Sequence, residues 1–394
     1  PLFFKEDHLM PRRRVERNIS YDEERKLYYV NLDYGPDPQT GKQVKASRTF
    51  TKIRQARSAL RKHELARESG RVVKPRELTL EEWLTTWMND VISLSRAVTT
   101  VYAYQNIIHS HIIPALGAQP IQKITPQQLQ AYYAALIRDK HLCNNTVRKH
   151  HDLLNAAFKA AVKQGILLSN PAERVEAPKP HPPEIHYYSL EDLQRLLTLC
   201  KGTRIEVLVK LAGLLGLRRE EILGLTWDHV DFHSHKLEIV TVRTAAGKTV
   251  VTKEPKTATS KRTLYMPADL EDALKREAQK QAHFKAYLGS SYHDGGYVFT
   301  YEDGRPMRPN YASDLFTKFI HDHDLPPITL HGLRHSFASI ANAKGIPMYD
   351  IGKALGHSSP STTSKIYTHL LDPDHKDLLE RMWGSPPVQE KAQK

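Results

Sequence analysis

The apolar pattern of this chain changes period near residue 78, and that break dictates a small β module followed by helical ones. Ahead of it, residues 26–34 and 44–50 have strand composition, and Gly35, Pro36, Asp37, Pro38, Thr40 and Gly41 between them form turns, so the pair reads as a hairpin. Ile53, Ala56, Ala59 and Leu60 then recur at helical spacing in a basic segment that Gly70 can stop. Beyond the break, Thr79 is a helix N-cap with Glu82 at the capping-box position. Trp83, Leu84, Trp87, Met88 and Val91 follow as one apolar stripe, which at this spacing is core and not a cofactor box. Further helices are expected at about 99–111, 125–136 and 145–163. Pro114 and Gly117 should break the second from the third, and Val147, Leu154, Phe158, Ala161 and Val162 should share one face of the last.

Residues 171–188 hold Pro171, Pro178, Pro180, Pro182 and Pro183 with few apolar neighbours, the composition of a semi-stiff linker. A second N-cap pattern, Ser189 with Asp192, opens a final domain at 189–383. It reads as mainly helical, with strands at about 236–242, 248–253 and 261–266. Residues 384–394 have the composition of a disordered tail. The expected fold is therefore multidomain and mainly α with small β elements. A β-hairpin or three-stranded sheet with one helix occupies 1–76, an all-helical domain 77–170, and a mixed but mostly α domain the C-terminal half.

Charge is unevenly placed along the 394 residues. Residues 1–76 carry 19 Lys and Arg against 10 Asp and Glu, a net of +9, whereas the remaining residues share only +4 of the total +13. A basic module ahead of a nearly balanced body points to a polyanion partner, through strands laid in a DNA groove; the bland alternatives are a protein-docking hairpin or a solubilising tail. Cys143 and Cys200 lack metal-ligand spacing, so neither a disulfide framework nor a zinc module is expected. The longest apolar stretch, 205–217, is interrupted by Glu206 and Lys210 and is too short to span a bilayer. With no secretory signal pattern at the N-terminus, the expectation is a soluble, intracellular protein.

The chemistry is concentrated in the last domain. Arg218 follows Gly216 in an apolar neighbourhood of Val207, Leu208, Leu211, Leu214 and Leu215, where a charge must find a partner. Glu221, one turn on, could orient it; alone, the pair reads equally as structural. Lys256 falls on a turn between two expected strands, where a lysine can reach into a cleft and deliver a proton, although most such lysines face solvent. His331 and Arg334 are three apart, hence on one helix face. His331 with His335 has metalloprotease spacing, but Gly332 stands where that motif needs its general-base Glu. The pairs His109/His111 and His321/His323 have no clustered carboxylates or cysteines, so no metal site is expected. Tyr367 is one of 18 tyrosines and alone reads as core; His357, upstream by one short helix, changes its standing. Two arginines, two histidines and a tyrosine in this order can grip a phosphodiester and attack it without a metal or other cofactor.

At these residues the chain resembles the tyrosine recombinases, the integrases of temperate phages and integrative transposons. Arg218, Lys256, His331 with Arg334, His357 and Tyr367 match the family's pattern in order and spacing. The three-module layout matches over about residues 10–385. Leu215 departs mildly, since many members have Thr there, and that hydroxyl is not part of the catalytic set. The resemblance implies an arm-type DNA-binding domain at 1–76, a core-binding, SAM-like domain at 77–170 and a catalytic domain at 189–383. It implies that Tyr367 attacks the scissile phosphate, leaving a 3′-phosphotyrosine and a 5′-hydroxyl. His331 would be the base, Arg218 and Arg334 the clamps on the non-bridging oxygens, His357 a further donor and Lys256 the acid. Glu221 would support Arg218. The implied partners are double-stranded DNA at core and arm-type sites, a tetramer of the chain on that DNA, and an excisionase or DNA-bending protein, in the cytoplasm of a bacterial host and away from any membrane.

Two other readings stay open at this stage. A type IB topoisomerase could use the same active-site logic, although relaxation gives no role to a separate basic module. Residues 340–367 also scan as a helix-turn-helix, which would make the chain a repressor and leave Arg218, Lys256 and His331 without a reason to occur together.

Overall fold

The computed structural model describes residues 12–36, 42–68, 77–181, 185–255 and 260–356. The chain divides into two compact units at Pro182/Pro183.

The first unit begins with an antiparallel sheet of β1 (Arg13–Glu16), β2 (Ile19–Asp22), β3 (Leu27–Pro36) and β4 (Gln43–Phe50), in that order. This is one strand more than the three-stranded limit expected, because β1 and β2 are only four residues each and β1, Arg-Arg-Val-Glu, is mostly charged. The turn between them holds Asn18 at φ 65, a conformation that Asn tolerates better than most side chains. Register sets Val30 opposite Arg48 and Leu32 opposite Ala46. Val30 and Leu32 join Ile19 and Ala56 in a core covered by α1 (Ile53–Glu68). On the other face Asn31, Lys45, Ser47 and Thr49 stand exposed.

The helices that follow are α2 (Leu80–Trp87), α3 (Ser93–Ser95), α4 (Val98–Ile107), α5 (Pro126–Arg138) and α6 (Asn144–Lys163). The expected capping box closes α2: Thr79 Oγ1 accepts from the Glu82 amide, and the Glu82 carboxylate accepts from Thr79 N at 2.8 Å. Thr125 and Gln128 repeat it at α5, with Pro126 at the first helical position. Two expectations fail here, both because of π-helical turns. One such turn, Met88–Ile92, inserts a residue into the register, so Ile92 points inward at 5% exposure while Val91 is 36% exposed. Another, Ile108–Gly117, carries the second helix straight through Pro114, since the wider turn accommodates the proline ring and its missing N–H, and the break from the third helix falls at Gly117, the other residue expected to make it. The α6 face buries Val147, Leu154, Phe158 and Ala161 as expected, together with His150 and His151. Tyr132 pairs with His150 Nδ1 at 3.0 Å, and burial, then the charge of His111, push the His150 pKa down to about 4.

The proline-rich stretch is built into both units. Pro171 and Ala172 are buried, capped by Asn170, and Asn145 holds both the amide and the carbonyl of His181. Tyr188 is buried in the second unit, where its amide donates to Ser336 Oγ.

That unit contains α7 (Leu190–Leu199), α8 (Glu206–Leu215), α9 (Arg219–Ile222), β5 (Val230–Asp231), β6 (Lys236–Ile239), β7 (Val242–Ala246), β8 (Thr249–Lys253), β9 (Arg262–Tyr265), α10 (Ala268–Leu288), α11 (Pro309–Asp322), α12 (Leu330–Ala343) and α13 (Met348–Leu355). The central helix, α8, is buried nearly all round and packs on α7, α10 and α12. The expected strand at 236–242 is split. β6 sits in a sheet ordered β5-β6-β9, whereas β7 pairs with β8 in a separate two-stranded sheet. The chain passes so close to Gly224 there that a Cβ on that glycine would lie 2.3 Å from the Thr241 carbonyl oxygen. As a result β8 and β9 belong to different sheets and do not pair as the expected hairpin; Lys256, between them, lies outside the described residues. Among the described residues, no helix is long and apolar enough to cross a membrane.

Candidate active site

Four of the seven singled-out residues are described, and all four lie in the second unit. Gly216 ends α8 with φ 64, and a Cβ there would lie 2.5 Å from Leu355 Cδ2 and 2.8 Å from Phe337 Cδ1. A glycine is therefore required twice over, for its backbone and for the space. The turn it makes releases Arg218 as the N-cap of α9. The Arg218 amide donates to Glu221 Oε2 at 2.9 Å, and its Nη1 donates to Oε1 at 2.7 Å. Glu221 is thus the orienting partner expected, but it is only 1% exposed and serves a second arginine.

That second arginine, Arg262 at the start of β9, was missed by sequence reasoning. It donates from Nη1 to Glu221 Oε1 at 3.1 Å and from Nη2 to Oε2 at 3.0 Å. Its Nε donates to the Ala354 carbonyl at 2.8 Å, at the end of α13. Burial alone would raise the Glu221 pKa. Hydrogen bonds and charge from Arg262, followed by those from Arg218, outweigh burial and hold the carboxyl below its usual range.

Arg334 lies on α12, whose first turn is capped by Thr329 Oγ1 accepting from the Gly332 amide. Gly332 is needed because a Cβ would meet Ile328 at 2.5 Å and the His186 carbonyl at 2.9 Å. Arg334 is buried, at 2% exposure. Nη1 donates to the Gly216 carbonyl at 2.7 Å and Nη2 to the Leu355 carbonyl at 2.8 Å. One arginine thereby ties the turn before Arg218 to the end of α13, one residue short of Gly356.

His331 projects from the same helix as Arg334 and stays solvent-accessible. Its ring meets that of His335 edge-on, with centroids 4.7 Å apart. Crowding by surrounding protein, then the positive charges of Arg334 and Arg218, push its pKa below the ordinary histidine value. The bond from Arg334 Nη1 to the Gly216 carbonyl holds the turn before Arg218 against α12, so Arg218, His331 and Arg334 are brought together from two chain segments. Lys256, His357 and Tyr367 lie outside the described residues. The arrangement can hold an anion between two guanidiniums and keep a neutral imidazole beside it at neutral pH.

Comparison with known proteins reaches the same part of the chain. Residues 187–373 match the Phage integrase family, and residues 79–137 match its N-terminal SAM-like domain. A tyrosine recombinase XerC-like protein of Caldanaerobacter subterraneus subsp. tengcongensis is 28% identical over 388 residues, covering 93% of this chain and 99% of its own. The ICEBs1 integrase of Bacillus subtilis is 26% identical over 360 residues, covering 90% and 96%. Among solved structures, the Tn1549 transposon integrase in complex with a circular intermediate DNA superposes with a TM-score of 0.65 at 17% identity, over 77% of this chain and 98% of that one. A lambda integrase tetramer bound to a Holliday junction gives 0.57 at 17%, over 90% and 96%. At these identities the structural likeness speaks for the fold.

Proposed function

The chain belongs to the tyrosine recombinase family, and from that premise we propose how its residues perform site-specific DNA recombination for a mobile element. The substrate is double-stranded DNA at a core site, and a tetramer of the chain carries out the exchange. The work is done in the cytoplasm of a bacterial host, with an excisionase or DNA-bending protein as accessory partner.

In the proposed cleavage step the Tyr367 oxygen attacks the scissile phosphorus in line. The phosphorus bond to the 5′-oxygen breaks, and a 3′-phosphotyrosine forms. A phenol is a weak nucleophile near neutral pH, so its proton passes to His331. Arg218 and Arg334 stabilise the charge that builds on the non-bridging oxygens, and His357 donates a further hydrogen bond. Lys256 delivers a proton to the departing 5′-oxygen. The covalent bond conserves the phosphodiester, so the 5′-hydroxyl of a partner strand can attack it, expel Tyr367 and complete the exchange without ATP.

The observation that carries this reading is the meeting of Arg218, His331 and Arg334: Arg334 donates to the Gly216 carbonyl two residues before Arg218, and the charges of both arginines help to depress the pKa of His331. Residues 77–170 are assigned to core-site binding and residues 1–76 to arm-site binding. The exposed sheet face of Asn31, Lys45, Ser47 and Thr49 supports the arm assignment. The test is Tyr367→Phe on a nicked duplex bearing the joined ends of the element. Binding should match wild type and no SDS-resistant protein–DNA adduct should form. An adduct that persists means that another residue is the nucleophile.

A further inference from the structure

Arg262 stands where three segments of the site meet, yet the chemistry above gives it no step. Its guanidinium, 8% exposed, takes both oxygens of Glu221 and also the Ala354 carbonyl. The Arg218 guanidinium reaches only Oε1, through Nη1, while its backbone amide takes Oε2, and the side chain is 27% exposed. The three charged groups sum to one net positive charge. Were Arg262 absent, Glu221 would be free to bind Arg218 through two parallel N–H bonds, the geometry that a carboxylate prefers with a guanidinium. That pair would be neutral, and its fork would point at the carboxylate and away from solvent.

We propose that Arg262 is a positioning residue for strand cleavage, which occupies the Glu221 carboxylate so that Arg218 is oriented by it without being neutralised by it. Arg218 keeps a net positive charge and, among the described residues, gives only Nη1 of its guanidinium to Glu221, which leaves the rest of the fork for the phosphate. The bond from Arg262 to Ala354 fixes the end of α13 against the same carboxylate, so the two parts of the site cannot drift apart independently. Arg262 touches neither DNA nor the reacting atoms in this scheme; its effect reaches the phosphate through Glu221 and Arg218. The inference rests on reading Arg218 as a phosphate clamp.

The test is a double-mutant cycle in the full-length chain with Arg262→Gln and Arg218→Ala. It measures single-turnover adduct formation on the nicked duplex at saturating protein, and DNA affinity separately. Arg262→Gln should slow cleavage about 100-fold, the loss typical of a misplaced charge-stabilising donor, while affinity stays within about threefold. Added to Arg218→Ala, it should cost about threefold or less. Independent losses that multiply in the double variant would overturn the positioning role and leave Arg218 as a clamp. Wild-type cleavage by Arg218→Ala would instead overturn the clamp, and the positioning role with it. Arg262→Lys, which keeps the buried charge but not the fork, guards against a folding defect. With amide protection across α9 and β9 at wild-type level, it should still slow cleavage at unchanged affinity, and undiminished cleavage would refute the proposal.

Discussion

Gly216→Ala isolates the geometry on which the site depends, and its cost can be worked from two separate sources. Alanine in the left-handed region, at φ 64, loses about 1–2 kcal/mol relative to glycine. The new Cβ would also sit 2.5 Å from Leu355 Cδ2 and 2.8 Å from Phe337 Cδ1, and relieving such an overlap in a packed core costs about 1–3 kcal/mol. The sum is about 2–5 kcal/mol. Gly345→Ala is the matched control, since that glycine has φ 78 and nothing within 4 Å of an added Cβ, so only the backbone part should appear. Hydrogen exchange at the slowest amides of α8 and α12 in the full-length protein reads the difference between the two variants as the overlap alone. The overlap has a catalytic consequence as well. The carbonyls of Gly216 and Leu355 both accept from Arg334, so pushing the two segments apart moves its guanidinium. A displacement approaching 1 Å at a reacting centre costs about 100-fold in rate. Gly216→Ala should therefore slow adduct formation by about that factor, and Gly345→Ala should not. Equal destabilisation by the two substitutions, or wild-type cleavage by Gly216→Ala, would refute the packing argument.

The pH dependence of cleavage should report His331. Because its pKa is depressed in the free protein, the base stays neutral, and competent, below the ordinary value of 6.5; the acid limb of the second-order cleavage rate should lie there, and a limb above 6.5 would contradict the assignment. His150 gives a separate acid response in the helical domain. Its folded-state pKa, about 4, is below its unfolded value, so its contribution is whole above pH 6.5 and is lost as pH falls towards 4, by about 3 kcal/mol in all. His150→Gln should flatten that part of the stability profile measured by hydrogen exchange, and an unchanged slope would assign the acid sensitivity elsewhere.

What could be read from sequence depended on whether a residue's role was local. Thr79 with Glu82 announces a helix start because both partners lie within one turn, and Arg218 with Glu221 is visible for the same reason. The insertion that moves Val91 outward and Ile92 inward is a register choice made by packing, with no proline or glycine to mark it. Proline at 114 misled in the opposite sense, because the penalty it carries in an α-helix is relaxed in a wider turn. Arg262 was invisible for a third reason. It lies 41 residues from Glu221 and 92 from the Ala354 carbonyl, beside Lys261 in a stretch that reads as an exposed basic strand end. Lys256, His357 and Tyr367 were recognised by order and spacing and lie outside the described residues, so their roles stand on the family pattern.

The way the arginines are held explains why the site can keep its charge. The Gly216 and Leu355 carbonyl oxygens accept from Arg334 and orient it, and the Glu221 carboxylate is shared between Arg218 and Arg262. In the proposed roles, Arg218 and Arg334 would meet an incoming phosphodiester as cations already fixed in direction, so little reorganisation would remain at the moment of reaction. The same field acts on His331. In the free protein the positive charges of Arg334 and Arg218 help keep the imidazole neutral, which makes it available but weakly basic. A bound phosphodiester offsets those charges and raises the imidazole pKa, so the base strengthens once there is a proton to remove. On this argument the acid limb of cleavage at saturating DNA must lie above the limb for free protein and DNA. Charge that grips the substrate and charge that tunes the base are then one device, and a substitution that weakens the first must also shift the second.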